Sequence, residues 1–138
     1  MSSKLFVAAA ALAICCTSAG CGGITDPSQN ANEPFSGVLN HGDPIKFYAF
    51  TSSKTGEISA KFTSLTPVSN VIMGVLLAQA ASDNTCTGDL GLVSPQTVAQ
   101  LNVSVFLGQL QGRRYCLGVY EATTLTQPEN YTVVVSHP

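Results

Sequence analysis

The sequence predicts an all-β fold, an antiparallel β-sandwich of about seven strands occupying residues 34–138. Three observations predict it. Segments rich in Val, Ile, Leu, Phe, Tyr and Thr follow one another from Phe35 to the end of the chain. Several alternate apolar and polar residues, the period that gives a strand one core face and one solvent face. Gly, Pro, Asn, Asp and Ser collect in the gaps, and no segment of this region shows a 3.6-residue apolar period.

The chain opens differently. "MSSK" carries one positive charge at Lys4, and "LFVAAAALAICC", residues 5–16, is apolar without a break. That run is shorter than the roughly 20 residues a bilayer-spanning helix needs and fits the apolar core of a secretory signal peptide. "SAGC", Ser18 to Cys21, follows, and it resembles the bacterial lipoprotein motif, in which small residues precede a cysteine that is lipidated and becomes the mature N-terminus. Ala19 and Gly20 match; Ser18 stands where Leu is usual. A cut before Cys15 would place bulky Ile14 beside the scissile bond and shorten the apolar core. Cys15, Cys16 and Cys21 do not suit zinc, which wants four ligands, because no histidine or fourth cysteine lies nearby. The resemblance implies a lipid on Cys21 and anchoring of the chain in a bacterial cell envelope. Gly22, rather than Asp, resembles the enterobacterial sorting signal for the outer membrane over the inner. Ordinary cleavage after Ala19 would instead leave Cys21 as a plain thiol on a secreted protein. Residues 22–33, "GGITDPSQNANE", are small, polar and aperiodic and read as a flexible linker. The expected organisation is a signal peptide at 1–20, lipidated cysteine and linker at 21–33, and sandwich at 34–138.

Each strand has its own signal. "FSGVL" ends at "NHGDP", a cluster of residues that preset or tolerate a turn, and "IKFYAFT" follows with β-formers throughout. In "EISAKFTS", Ile58, Ala60 and Phe62 share one face and Ser59, Lys61 and Thr63 the other. "VIMGVLLAQ" is continuously apolar; its short length and β-branched start favour a central strand over a helix. "LNVSVFL" alternates through Leu101, Val103 and Val105, and "RRYCLGVYE" and "NYTVVVS" close the chain.

From Cys21 onward the chain has 118 residues, five basic and eight acidic, a net charge of −3. That is one domain with a modest core and no basic patch, which argues against a nucleic-acid partner. Cys15 and Cys16 leave with the signal and Cys21 takes the lipid. Cys86 and Cys116 then remain as an even pair in an oxidising compartment, where disulfides persist. On "YCLGVY", Tyr115, Leu117 and Val119 share one face while Cys116, Gly118 and Tyr120 share the other, so Cys116 can receive a loop crossing the sheet.

"GVLNHGDPIKFYAF" and "LQGRRYCLGVYEATTLTQPENYTVVVSHP" together resemble the bacterial pre-peptidase C-terminal family. The opening match rests on Gly37, Leu39, Gly42, Asp43, Phe47 or Tyr48, and Phe50. The closing match rests on Gly112, Tyr115, Leu117, Val119, Tyr120, Tyr131, Thr132, Val133 and Val135. The resemblance implies a jelly-roll-like sandwich that serves as an accessory module beside secreted hydrolases; some members bind calcium or matrix. Here no catalytic domain accompanies it, and the acidic run that many members carry on the central strand is missing.

Chemistry-bearing residues are few. His41 and Asp43 could suggest a base with its orienting carboxylate, but two residues apart in a tight turn they point away from each other. His137, next to last, reads as a frayed end. No metalloprotease helix motif, phosphate-binding glycine loop or nucleophile elbow occurs, so the chain reads as non-enzymatic. In "ASDNTCTGDLG", Asp83, Asn84 and Asp89 could offer oxygen ligands to calcium, although their spacing fits no EF-hand and a solvated loop pinned by Cys86 explains them as well. Otherwise no cofactor is expected. Arg113-Arg114 could meet an acidic partner or simply form a solvated turn. Asn102-Val-Ser104 and Asn130-Tyr-Thr132 match the glycosylation pattern by chance. The sequence therefore reads as a non-catalytic, lipid-anchored envelope module that binds a glycan or a protein. The alternatives are an assembly subunit of an envelope complex, or an enzyme or inhibitor whose site lacks a motif.

The anchor is directly testable. A Cys21→Ser chain is expected to leave the membrane fraction and to stop incorporating labelled palmitate; unchanged membrane association would refute the lipoprotein reading.

Overall fold

The computed structural model describes residues 27–83, 85–87 and 90–138. After a 3-10 turn at Pro27–Gln29, these residues form nine strands: β1 (Ala31–Leu39), β2 (Lys46–Ser52), β3 (Gly56–Thr66), β4 (Met73–Gln79), β5 (Gly91–Leu92), β6 (Thr97–Ala99), β7 (Ser104–Leu110), β8 (Arg113–Glu121) and β9 (Glu129–His137). They build two antiparallel sheets packed as a sandwich. One has the order β1-β9-β3-β7; the other has the order β2-β8-β4-β5, with β6 on a further stretch of β4. Successive strands β1 to β4, and again β7 to β9, alternate between the sheets, which is jelly-roll connectivity.

Period-two alternation puts the core between the sheets. Ile58, Ala60 and Phe62 of β3, and Tyr131, Val133 and Val135 of β9, face Met73, Val75 and Leu77 of β4, and Tyr115, Leu117 and Val119 of β8. β4 is also buried on its other face, which is why its sequence is apolar without alternation. There Leu76, Ala78 and Cys116 form a second, smaller cluster against Ile45, Phe47, Ala80, Cys86, Leu90 and Tyr120. The segment after β4 thus lies over the outer face of the five-stranded sheet and is bonded to it: Cys86 and Cys116 form a disulfide, with Cα atoms 5.7 Å apart. Cys116 is fully buried, on the opposite side of β8 from Tyr115 and Leu117, as the alternation predicts.

The ring of Tyr120 lies directly over Gly74 and leaves no room for a side chain there. Gly37 on β1 is similarly confined, with the hydroxyls of Tyr48 and Tyr131 both against its backbone. Those hydroxyls are 2.6 Å apart, and Tyr48 also donates to the Ser36 carbonyl at 3.2 Å. Phe35 stacks on Tyr48, and Phe62 meets Tyr131 edge to face. This knot joins β1, β2, β3 and β9, and so both sheets and both ends of the described chain.

Several expectations are corrected. The sandwich begins at Ala31, because Ala31–Glu33 pair with Val135–His137 where a linker was expected up to residue 33. β5 and β6 add two strands to the seven expected; at two and three residues they are too short to carry a period. The strand expected from Leu101 begins at Ser104: Leu101 makes one isolated bridge to Phe62, Asn102 turns through a positive φ of 61°, and Val103 is exposed. His137 is not a frayed end. It is 2 % exposed, bonds Glu33 at 3.0 Å and packs on Phe50, because β9 runs in register with β1 up to that residue. Cys15, Cys16 and Cys21 lie outside the described residues.

The disulfide closes a separation of 30 residues. Chain entropy values such a closure at about 3–4 kcal/mol. Non-reducing peptide mass spectrometry is expected to find the Cys86–Cys116 cross-link, and a Cys86→Ser/Cys116→Ser chain should melt at least several degrees lower. Two freely alkylated thiols in the native protein would contradict the pairing.

Candidate functional site

The two outer faces of the sandwich differ in chemistry. That of the five-stranded sheet is apolar and largely covered by the disulfide-bonded segment. That of the four-stranded sheet is open, and its register places the outward side chains in rows across the strands. Asn32, Ser136, Ser59 and Phe106 make one row, and Pro34, Val134, Lys61 and Ser104 the next. Ser36, Thr132 and Ser64 follow, with Thr63 in the bulge between Phe62 and Ser64, and Asn130 pairs Thr66 beyond. Two shallow grooves lie on this face, one against Ser36, Ser64 and Thr132, the other against Asn32, Ser59, Lys61 and Ser104.

Alternation explains this composition. Most of the Val, Ile, Phe and Tyr side chains of these strands turn inward. Beside the aliphatic side chains of Pro34, Val38 and Val134, many of the outward positions are therefore taken by hydroxyls and amides. Part of their capacity is used on the protein itself: Ser36 and Thr132 share a 2.9 Å hydrogen bond, and Asn130 donates to the Thr66 carbonyl at 3.3 Å. Two further outward residues stand apart in chemistry. Phe106 is 60 % exposed at the edge of its row. Lys61 is exposed and makes no ion pair among the described residues, and exposed Glu57, paired with Gln109, adjoins the row of Ser59 and Phe106 on the same face. The face can offer hydroxyl and amide hydrogen bonds, aliphatic surface, one aromatic ring, one cation and, at its margin, one carboxylate.

A second polar constellation sits at the β1–β2 end of the sandwich. Asn40 and Asp43 close the turn: Asp43 N–H donates to the Asn40 carbonyl, and Asp43 Oδ2 accepts from Asn40 N–H and from its side-chain amide, each at 3.0 Å. Those bonds hold the Asp43 carboxyl below its ordinary range, with Lys46 adding to the effect. Gly42 supplies the positive φ that the turn needs. His41 turns away from Asp43 and instead meets Glu121 at the end of β8, Nδ1 to Oε1 at 2.8 Å. Glu121 also accepts from Gly42 N–H at 2.9 Å and from Leu125 N–H. One carboxylate thus ties the β1–β2 turn to the connection between β8 and β9. Its three donors, Gly42 N–H foremost, depress its pKa to about 2. With both oxygens engaged by backbone and His41, Glu121 is suited to clamping loops. Buried Glu129 does the same further along, with both oxygens on Val68 N–H. Burial pushes the Tyr131 phenol up, beyond the ordinary tyrosine range, so it remains a neutral hydrogen-bonding group.

Of the calcium-ligand candidates, Asp83 is described: its exposed carboxylate accepts from Thr85 N–H at 3.0 Å and from the Thr85 hydroxyl at 2.7 Å, which keeps its pKa low. Asn84 and Asp89 lie outside the described residues. No group of three or more His, Cys, Asp or Glu side chains placed to hold a metal occurs among the described residues. Arg113 and Arg114 open β8 at the far end from Glu121, beside a groove that Gln79 and Ser82 also line. No described helix is long and apolar enough to cross a membrane. The clamp of Glu121 was not legible in sequence, because His41 and Gly42 lie about 80 positions away. The exposure of Phe106 could have been read from its place between Val105 and Leu107, both on the core side.

No protein-family model matches the chain, and no curated protein matches it. Among solved structures, it is similar to a mitogen derived from Yersinia pseudotuberculosis, with a TM-score of 0.50 and 10 % identity over 79 % of this chain and 87 % of that one. At that identity the likeness speaks for the sandwich fold alone.

Glu121 generates a pH signature. Its carboxyl titrates near 2 in the folded chain against an ordinary 4.5, so its contribution is complete above about 4.5 and lost as pH falls toward 2. Glu121→Gln is expected to lower the denaturant midpoint at pH 7, and the gap to the parent should close between about pH 4.5 and 2. A gap that stays constant through that window would show that the charge is not what holds the turn.

Proposed function

We propose that this chain is a non-catalytic, lipid-tethered module of the bacterial cell envelope, of the pre-peptidase C-terminal kind, which binds a glycan on the open face of its four-stranded sheet. The observation that carries the reading is the composition of that face: Ser, Thr and Asn side chains recur along its rows, with the exposed ring of Phe106 at their edge. A sugar presents hydroxyls around its rim and polarised C–H bonds on its ring face. The hydroxyls suit Ser and Asn partners, and the C–H face suits the negative face of an aromatic ring. Neighbouring strands are about 4.8 Å apart, so one row repeats polar groups at close to the length of a single sugar residue.

Two further observations support the family reading and the non-catalytic one. Gly37, Tyr48 and Tyr131, on which the motif match rests, meet in one contact that joins first and last strands. Of the two described His–carboxylate pairs, His41 with Glu121 holds a turn, and His137 with Glu33 ties the last strand to the first.

Phe106→Ala is expected to reduce retention of the protein on an immobilised polysaccharide panel by about tenfold or more for whichever polymer retains the parent, with melting unchanged. Equal retention of both proteins, or retention of neither on any polymer, would remove the glycan reading of this face.

A further inference from the structure

The topology gathers three of the four cations that lack an ion pair among the described residues, all but Lys61, at one end of the molecule. β2 ends at Ser52 opposite Arg113, and the turn to β3 carries Lys54. Gly112, just before β8, lies against the Ser53 carbonyl, within 3.1 Å of where a side chain would begin. Arg114 lies across β8 from Thr51, and its carbonyl accepts from Ala80 N–H. Lys54, Arg113 and Arg114 therefore share this end, and none of the three makes an ion pair with a described residue. Arg113 is held only by Gln111 Oε1, at 3.2 Å. The described carboxylates toward this end are exposed Glu57, at the start of β3, Glu33, bonded to His137, and Asp83, bonded to Thr85. At the opposite end stand Asp43, Glu121 and Glu129 against Lys46 and His41. An acidic chain has thus placed three of its five described cations together.

The chain also enters the sandwich at this end. Ala31 pairs with His137, and the Pro138 carbonyl accepts from Ser52 Oγ at 3.1 Å and Ser53 N–H at 3.2 Å. β1 therefore starts beside the turn that bears Lys54. Cys21 stands ten residues before Ala31, which is at most about 35 Å of extended chain.

We infer that the end bearing Lys54, Arg113 and Arg114 docks onto an anionic lipid surface and sets the domain upright on it. The inference rests on the anchor reading for its geometry, since a lipid on Cys21 holds this end nearest the bilayer. It adds a contact that the anchor does not require. Basic residues within a Debye length of anionic headgroups are attracted to them, and a basic patch complements a lipid chain as the second of two membrane signals.

The test uses the full chain, reconstituted through its lipid into vesicles of phosphatidylglycerol and phosphatidylethanolamine, or of phosphatidylcholine alone, each doped with a brominated lipid. A fluorophore is placed on Thr55→Cys, in the turn bearing Lys54, or on Thr126→Cys, between β8 and β9. Quenching is expected at 55 and not at 126 on the anionic vesicles, at least threefold stronger than on phosphatidylcholine, and weakened by salt. Lys54→Gln/Arg113→Gln/Arg114→Gln should abolish the preference while the protein stays membrane-bound; Arg113→Lys/Arg114→Lys should keep it. Equal quenching at both ends, or a preference that survives loss of the three cations, overturns the docking and leaves the anchor standing. If Cys21 proves unlipidated, the same proteins are sedimented with the vesicles at low salt. There the parent should partition at least tenfold better onto the anionic ones than the triple variant does, and equal partition overturns the inference.

Discussion

β4 and β8 are buried on both faces, and much of the molecule is arranged to keep them so. A sandwich normally needs to cover only the inner face of each sheet; the outer face can remain polar. Here Leu76, Ala78 and Cys116 point outward, and leaving them in water would forfeit about 25 cal/mol for each Å² of apolar surface exposed. The segment after β4 lies over them, but Cys86 and Leu90 are its main apolar contribution. So small an area would not hold a polar loop in place against its own conformational entropy. The covalent bond from Cys86 to Cys116 removes that difficulty by confining the segment in the unfolded chain as well. Gly74 and Gly118 belong to the same arrangement, since only the absence of a side chain lets Tyr120, Leu76 and Ile45 lie flat on the strands.

That solution commits one side of the molecule to structure and leaves the other free. The four-stranded sheet buries its inner face alone, and its outward rows carry hydroxyls that hydrogen-bond water or one another. The loops at the Glu121 end are tied by charge-assisted bonds from backbone N–H groups to carboxylates. Such bonds fix turn geometry with little apolar area. Negative charge is used there for internal order, whereas at the Arg113 end positive charge stands unpaired.

How much of this was legible in the sequence follows from the range of each interaction. Strand identity is local: Ile58, Ala60 and Phe62 declare their face through alternation, and the unbroken run around Leu76 declares burial on both sides. The Cys86–Cys116 bond could be read because only these two cysteines follow Cys21 and because Cys116 sits out of phase with Tyr115 and Leu117. What sequence reasoning missed is set by register between distant strands. His137 looked terminal, yet pairing with Ala31 places it over Phe50 and beside Glu33. β5 and β6 owe their pairing to β4 rather than to their own residues. The charged ends are invisible for the same reason. Lys54 and Arg113 are far apart in the chain and become neighbours only once β2 and β8 pair.

The polar face and the basic end are mutually constrained by strand direction. β1 and β9 each run nine residues, about 30 Å, from the end where the chain enters to the end held by Glu121. A surface contacting Lys54, Arg113 and Arg114 therefore lies across the strand axes, and the rows of the four-stranded sheet stack upward from it like rungs. The row of Asn32, Ser59 and Phe106 lies low among them, just above Glu57 and Gln109, and Asn130 stands near the top. Docking through a sheet face would have hidden one of these surfaces, and docking through the Glu121 end would have brought carboxylates against anionic headgroups. Contact through the basic end leaves the full length of the polar face open sideways, parallel to a polymer that rises from the same membrane or passes over it.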